Sequence, residues 1–458
     1  MIISILLTAG FSFAFLPSIK FLINFASDDS FFYIKTAYNF SSGNGSTFDL
    51  VNPTNGYHPF WFIILSVYFL LLNLFANFDP EFFYRTVVLL QFVISCSTLY
   101  FIYKSFKILK SDYSKNFILF CFPFMILVST RDFGVESPLL CLLFSILLYV
   151  KIREIHLDKT FLIYKILLVN FVFLTRTDLI FSVIPALIVV DYFTTNKIER
   201  RNLAIVYLLT LVIVLIIYLV INTICFGNAM TISATIKNSF PKFLLYQNFS
   251  LLLQPGYLTN QFIKFIFLLL ALISFILNFK RKSIASASGK ISLFLFSTCL
   301  GSLIFLMLNL SFNKQGLREW YVTFPAFVTL LTIFFSFNVI KKNYSQKILL
   351  VSICFVTYFY LTRVVNSKWD STYAYALKLK EVTNFDDKIF QMDMAGITGF
   401  FSQRKVINGD GLINSFEYLD YVRNGNLEQY LKDKKIYFYS THTEEVDSIQ
   451  NEFTDLMY

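Results

Sequence analysis

The sequence predicts an α-helical polytopic membrane protein with about 11 transmembrane helices and a small C-terminal α/β domain outside the membrane. Three observations carry that prediction. Of 458 residues, 56% are hydrophobic and only 15% charged. Soluble domains carry about 25% charged residues, so this apolar excess is more than one globular core can hide. Residues 203–227 and 291–312 contain no charged side chain, and roughly 20 apolar residues are what a helix needs to cross a bilayer. Lipid offers the backbone no hydrogen bonds, so such runs fold as helices, which satisfy every N–H and C=O internally. After residue 363 the composition changes and charges return.

Taken in order, residues 1–17 are apolar, with no basic residue before them and no small-residue cleavage pattern, and read as a retained first helix rather than a signal peptide. Spans are expected at 1–19, 84–104, 116–130, 135–150, 160–175, 178–194, 203–226, 261–279, 290–312, 321–340 and 347–363. Lys and Arg concentrate in short cytoplasmic loops. Lys104, Lys107, Lys110 and Lys115 form one basic loop, Arg200 and Arg201 a second, Lys280, Arg281 and Lys282 a third, and Lys341, Lys342 and Lys347 a fourth. With these four and the N-terminus inside, segments 131–137, 175–178, 226–260, 313–320 and the tail all fall outside. Segment 59–75 is the exception, because as a full span it would carry 26–57 inside. Its Trp61, beside Tyr57 and His58, suits an interfacial position instead. Residues 26–83 then form a first outer loop with interfacial helices, and every polar motif sits on one face. The chain divides into a membrane-embedded part, 1–363, and a soluble part, 364–458, where short apolar runs at 388–392 and 435–439 alternate with helical patterns.

Composition also excludes some classes. The six cysteines fall in or at the edge of apolar segments without metal-ligand spacing, so no disulfide and no zinc site are expected. The net charge of +10 lies in short loops rather than on one soluble face, so nucleic acid is not an expected partner.

The stretch after the first span holds the chemistry-bearing residues. Ser27-Asp28-Asp29 opens a segment in which Phe31, Ile34, Ala37 and Tyr38 recur at helical spacing, as in an amphipathic helix on the membrane surface. Asp28 and Asp29 can serve the helix dipole or act on substrate, and capping needs only one polar side chain. His58 sits in a loop with two carboxylates, as a structural residue or a substrate contact. Arg131, Asp132 and Glu136 pack three charges between two short spans, where charge is costly and usually functional; Glu136 could also cap the next helix. Arg176 and Asp178 interrupt a long apolar stretch, either as a local ion pair or lining a polar cavity. Lys237, and Arg318 beside Trp320 and Tyr321, are interfacial anchors or holders of an anionic headgroup, for which Arg presents a rigid fork to phosphate.

In order and sidedness these motifs resemble the GT-C membrane glycosyltransferases, in the branch of bacterial relatives of protein O-mannosyltransferases and lipid-linked arabinosyltransferases. The resemblance rests on the acidic pair, Ala37-Tyr38-Asn39, Gly43-Asn44-Gly45, Thr47-Phe48-Asp49 and the run Asn52 to Trp61 with its Asn55-Gly56-Tyr57-His58-Pro59. Gly134-Val135-Glu136-Ser137 is similar to the family's Gly-Met-Glu-Thr, and Leu174-Thr175-Arg176-Thr177-Asp178 to its Leu-Thr-Arg-Pro-Asp, with Thr177 in place of Pro. Residues 393–402, 406–408 and 410–414 resemble part of the family's periplasmic tail. The resemblance implies a bacterial cytoplasmic-membrane enzyme that moves a sugar from a polyprenyl-phosphate donor to an extracytoplasmic acceptor, with inversion. It implies Asp28 or Asp29 as the base, the spacing to Ala37 favouring Asp29, with Glu136 as a supporting carboxylate. Arg176, Lys237 and Arg318 are implied, unranked, as phosphate partners. The acidic pair permits a divalent metal, Mg or Mn, or none.

A transporter or flippase for a lipid-linked sugar is the competing reading. Such folds carry paired repeats and broken helices, and no such symmetry is visible. A noncatalytic scaffold would not need the acidic pair.

Overall fold

The computed structural model describes residues 2–109, 117–129, 133–157, 161–194, 197–252, 287–337 and 369–440. Helix α1 (Ile2–Phe15) stops just before Leu16-Pro17, as the restricted residue ahead of a proline requires. After a short α2 (Ile19–Ile23) come α3 (Asp28–Ser41) and α4 (Pro59–Leu72), which pack on each other. Then follow α5 (Pro80–Ile108), α6 (Phe117–Ser129), α7 (Ser137–Leu157), α8 (Leu162–Thr175), α9 (Ile180–Thr194), α10 (Lys197–Phe226), α11 (Ile232–Lys237), α12 (Leu245–Leu252), α13 (Ala287–Phe312) and α14 (Thr323–Phe337). Nine of the eleven expected spans coincide with helices, and 261–279 and 347–363 lie outside the described residues.

Among the described residues, three stretches are long and apolar enough to cross a membrane: Pro80–Ile108, Arg201–Phe226 and Gly289–Phe312. The second is nearly bare, with Ile205, Leu209, Ile216 and Ile224 all exposed. A continuous apolar wall of that size is stable against hydrocarbon, not against water. The chain is an integral membrane protein. Helix α4 differs: its 14 residues span about 21 Å, short of the ~30 Å hydrocarbon core. It buries Trp61, Leu65 and Phe69 and exposes Ile63, Val67 and Leu70.

Helix packing uses small polar groups as well as apolar contact. Between α9 and α13 the Ser182 hydroxyl donates to the Thr298 carbonyl at 3.0 Å and meets Ser302 Oγ at 2.9 Å, the short-range glue of helices in lipid. Where α7, α8, α9 and α10 meet, Lys151, Glu154, Lys165 and Asp191 form a closed network. Glu154 accepts from Lys151 and Lys165, each at 2.7 Å, Lys151 also pairs with Asp191, and the Tyr207 hydroxyl donates to Asp191 at 3.2 Å. Two positive and two negative side chains leave no net charge. These charges stand in plain view in the sequence, and only the fold shows that they answer one another.

The tail comprises α15 (Asp370–Val382), β1 (Lys388–Gln391), α16 (Ala395–Ser402), β2 (Lys405–Asn408), α17 (Phe416–Arg423), α18 (Leu427–Asp433) and β3 (Phe438–Ser440). The strands form a parallel sheet in the order β2-β1-β3, with Ile389 opposite Val406 and Phe438. Parallel neighbours need crossover connections, and α16 supplies the one from β1 to β2. The tail does not keep its core to itself. Ile397, Phe400 and Phe401 of α16 belong to the same buried cluster as Phe31 and Tyr84, with the Phe401 ring 5.3 Å from Phe31 and 4.9 Å from Tyr373.

Two outcomes follow. Lys165→Met leaves the network with one uncompensated negative charge and lowers stability by about 3–5 kcal/mol, while the double variant Lys165→Met with Glu154→Gln recovers most of the loss, read by thermal unfolding in detergent. In a cysteine-free background, cysteines at the exposed Asn44 and Asn424 both react with an impermeant thiol reagent added outside; labelling of one alone refutes a shared outer face.

Candidate active site

The two neighbouring aspartates have different surroundings. At the start of α3, Ser30 Oγ accepts from the Ser27 N–H at 3.2 Å and the two hydroxyls are 3.0 Å apart, so neither acid is needed to cap the helix. Successive residues on a helix leave its axis about 100° apart, so the pair cannot share one target. Both Asp28 oxygens accept backbone donors of the tail, from Gly396 at 3.0 Å and Ile397 at 2.8 Å. Burial pushes the Asp28 carboxyl up to about 8 against the pull of those two N–H groups. Asp29 lines a small cavity and makes no hydrogen bond or ion pair among the described residues.

A second acid reaches that cavity from the far side. The strand of chain before α7 is pinned by two side chains: the Trp61 indole donates to the Gly134 carbonyl at 2.8 Å, while Gln91 accepts from the Gly134 N–H at 2.6 Å and donates to the Val135 carbonyl at 2.8 Å. Gly134 has φ +101°, and a Cβ there would lie 2.5 Å from Ser30 Cβ, so only glycine lets the segment pass α3. Glu136 is 1% exposed and turns toward Arg176 rather than capping α7. Arg176 Nη1 donates to Glu136 Oε1 at 2.9 Å, its Nε donates to Asp178 Oδ1 at 3.0 Å, and its guanidinium stacks 4.0 Å from the Tyr321 ring. His58 Nε2 lies 3.8 Å from Glu136 Oε1. Burial first, with Arg176 adding to it, lowers the His58 pKa despite Glu136, so the ring is neutral near pH 7. Burial and then the charge of Glu136 raise Tyr33 well above its ordinary value, so its hydroxyl keeps its proton.

Lys237, at the end of α11, brings a further cation. Burial pulls its ammonium down, but Tyr321, Asp29 and Asp410 outweigh that and the net direction is upward. It makes no ion pair within reach among the described residues. Two adjoining cavities meet here. One, of about 50 Å³, is lined by Asp29, Tyr33, Glu136, Trp320 and the tail's Leu412. The other, of about 560 Å³, is lined by Arg176, Asp178, Tyr218, Phe305, Leu308 and Phe312. They share Tyr57, His58, Ser233, Lys237 and Tyr321.

Of the residues singled out in the sequence, Asp29, His58, Glu136, Arg176, Asp178, Lys237, Trp320 and Tyr321 thus line one or other cavity. Asp28 lines neither and binds the tail instead. Arg318 is half-buried near Lys237, which it repels. Arg131 and Asp132 lie outside the described residues. Sequence reasoning missed Tyr33, although it stands four residues after Asp29 and so on the same helix face. It also missed Tyr218, inside an uncharged span that gives no signal, and placed Asp410 in a tail motif without a site role; burial raises that carboxyl to about 7 with Asp29 adding to the shift. The Asn-rich motifs turn out to hold the loop: Asn39 donates to the Thr47 carbonyl at 2.9 Å, Asp49 accepts from the Asn52 N–H at 2.7 Å, and Asn55 accepts from the Ile232 N–H at 2.9 Å. No group of three His, Cys, Asp or Glu side chains among the described residues could hold a metal ion. The divergence of Asp28 from Asp29 removes the pair that a divalent ion would have used, so this donor set does not fit one.

No family model matches the chain, and no curated protein matches its sequence. Among solved structures it is similar to the crystal structure of ArnT from Cupriavidus metallidurans bound to undecaprenyl phosphate, with a TM-score of 0.56 and 10% identity, over 97% of this chain and 90% of that one. At that identity the likeness is one of fold, and it runs nearly the full length of both chains. The chain has an ArnT-like fold.

Proposed function

We propose that this protein is an inverting glycosyltransferase that moves a sugar from a polyprenyl-phosphate donor to an acceptor outside the cytoplasm. The observation that carries the reading is the meeting of a carboxylate, Asp29, and a cation, Lys237, neither in an ion pair among the described residues, across two cavities that share Lys237, His58 and Tyr321. The ArnT-like fold, in a protein whose structure holds undecaprenyl phosphate, supports it. The larger cavity has an apolar end at Phe305, Leu308 and Phe312, and Phe240 at its lining is exposed. That end suits the first units of a prenyl chain entering from the bilayer, with its phosphate at Lys237.

In this reading the acceptor hydroxyl occupies the smaller cavity against Asp29. Its oxygen attacks the anomeric carbon as the bond from that carbon to the phosphate oxygen breaks, and Asp29 takes the hydroxyl proton. Charge develops as in an oxocarbenium ion. Lys237 receives the negative charge growing on the leaving polyprenyl phosphate, where a preorganised cation in a dry site is worth most. Arg176 is already held by two carboxylates, so it sets the field and the position of Glu136 rather than gripping phosphate. Attack from the face opposite the phosphate inverts the centre. The outer face, with the acidic loop, α11 and the tail together, is the side on which this takes place.

The test uses a deletion strain carrying variants, with its lipid-linked sugars analysed by mass. Asp29→Asn lowers clearance of the accumulated donor by roughly 10²–10⁴-fold while purified protein binds undecaprenyl phosphate as before; normal clearance by this variant ends the assignment. Lys237→Gln weakens undecaprenyl phosphate binding by about 10–100-fold, the worth of one charge-assisted hydrogen bond, measured by titration in nanodiscs.

A further inference from the structure

Helix α3 carries, two turns apart, a pair of side chains that grip both ends of the tail helix α16. Asp28 takes the N–H groups of Gly396 and Ile397 at the start of α16. Lys35, only 7% exposed, donates from Nζ to the carbonyls of Gly399 and Arg404 at its end, both at 2.8 Å. The seven steps along α3 from Asp28 to Lys35 rise about 10.5 Å, and the eight residues of α16 about 12 Å, so the reach of one helix matches the length of the other. Donors and acceptors match as well. The first N–H groups and last carbonyls of a helix lack partners within it, and the acid accepts from the first while the amine donates to the second.

The contact is too close for side chains. A Cβ on Gly396 would lie 2.2 Å from the Asp28 carbonyl oxygen, and one on Gly399 would lie 2.8 Å from the Phe48 ring and 3.3 Å from Lys35 Nζ. Both glycines face α3 at i and i+3. Burial lowers Lys35 to about 7, with Asp49 opposing the shift; the neutral amine still has two N–H donors for its two carbonyls.

What the grip positions is the segment that follows. Leading out of α16, β2 ends at Asn408, and the next residues bring Leu412 to the wall of the Asp29 cavity, with its carbonyl against Gly56. Asp410 comes close enough for its charge to act on Asp29 and Lys237. We propose that Asp28 and Lys35 are a paired clamp of positioning residues that dock α16 and thereby seat the 409–414 loop as the outer wall of the site. This rests on the reading of Asp29 as the base. The first member of the acidic pair then works by holding the tail, and only the second touches substrate.

The experiment reads docking separately from turnover. Hydrogen exchange is followed on the full-length protein in nanodiscs, alongside undecaprenyl phosphate binding and donor clearance in the deletion strain. Asp28→Asn and Lys35→Met each speed exchange across 395–414 at least tenfold. Each lowers donor clearance at least tenfold and leaves exchange in α7 to α9 and undecaprenyl phosphate affinity within twofold. Gly399→Ala keeps both clamp residues and lifts the helix sterically, so it gives the same pattern; general unfolding would instead raise exchange in α7 to α9. If exchange across 395–414 stays within twofold of the parent in Asp28→Asn and Lys35→Met, or if Asp28→Asn abolishes clearance with exchange unchanged, the clamp is wrong. Normal clearance by Asp29→Asn would remove the base assignment while the exchange result for the clamp stood or fell on its own.

Discussion

A guanidinium at 3% exposure, at the break between two apolar helices, organises this structure. Taking Arg176 out of water costs several kcal/mol unless its donors are met. Meeting them draws in Glu136 from the start of α7 and Asp178 from the turn after α8, and brings Tyr321 face-on from the far side. Three separate segments of the chain are thereby tied together at one point. His58 and Tyr33 gather around the same carboxylate. The cavity walls follow from satisfying one buried charge, and Asp29 and Lys237, which form no ion pair among the described residues, face the space those walls enclose.

Much of this could be read in advance from physical regularities. Apolar runs of span length locate helices because lipid leaves the backbone no other choice, and α5, α10 and α13 lie where such runs predict. Arg176 and Asp178 stood out because charge inside an apolar stretch is costly. Other features left weaker traces. Lys35 and Asp28 are separated from their partners by more than 360 residues of chain, and no local pattern reports a contact of that range. Lys151, Glu154, Lys165 and Asp191 were visible as charges but not as a circuit, because the circuit depends on how three helices stack. Tyr218 and Ser233 carry no charge and no motif, and only the shape of the cavity selects them.

The acidic pair shows how two readings of one motif can both hold. Two adjacent acids on a helix suit the dipole or suit chemistry, and the sequence offers no means of assigning one role to each. The helix does, through the angle between consecutive side chains. With Ser27 and Ser30 closing the first turn, neither acid is spent on capping its own helix. One faces the tail and the other the cavity. A motif that looks redundant in one dimension is divided in three.

The small cavity beside Asp29 has a consequence for side reactions. At about 50 Å³ it has room for a few waters at most, each needing about 10–15 Å³ of such space. An activated sugar on a phosphate is exposed to hydrolysis wherever a mobile water pool meets a general base. On the proposed reading, this enzyme keeps that pool small where the base stands, and the acceptor, on entering, displaces the few waters that Asp29 could otherwise deprotonate.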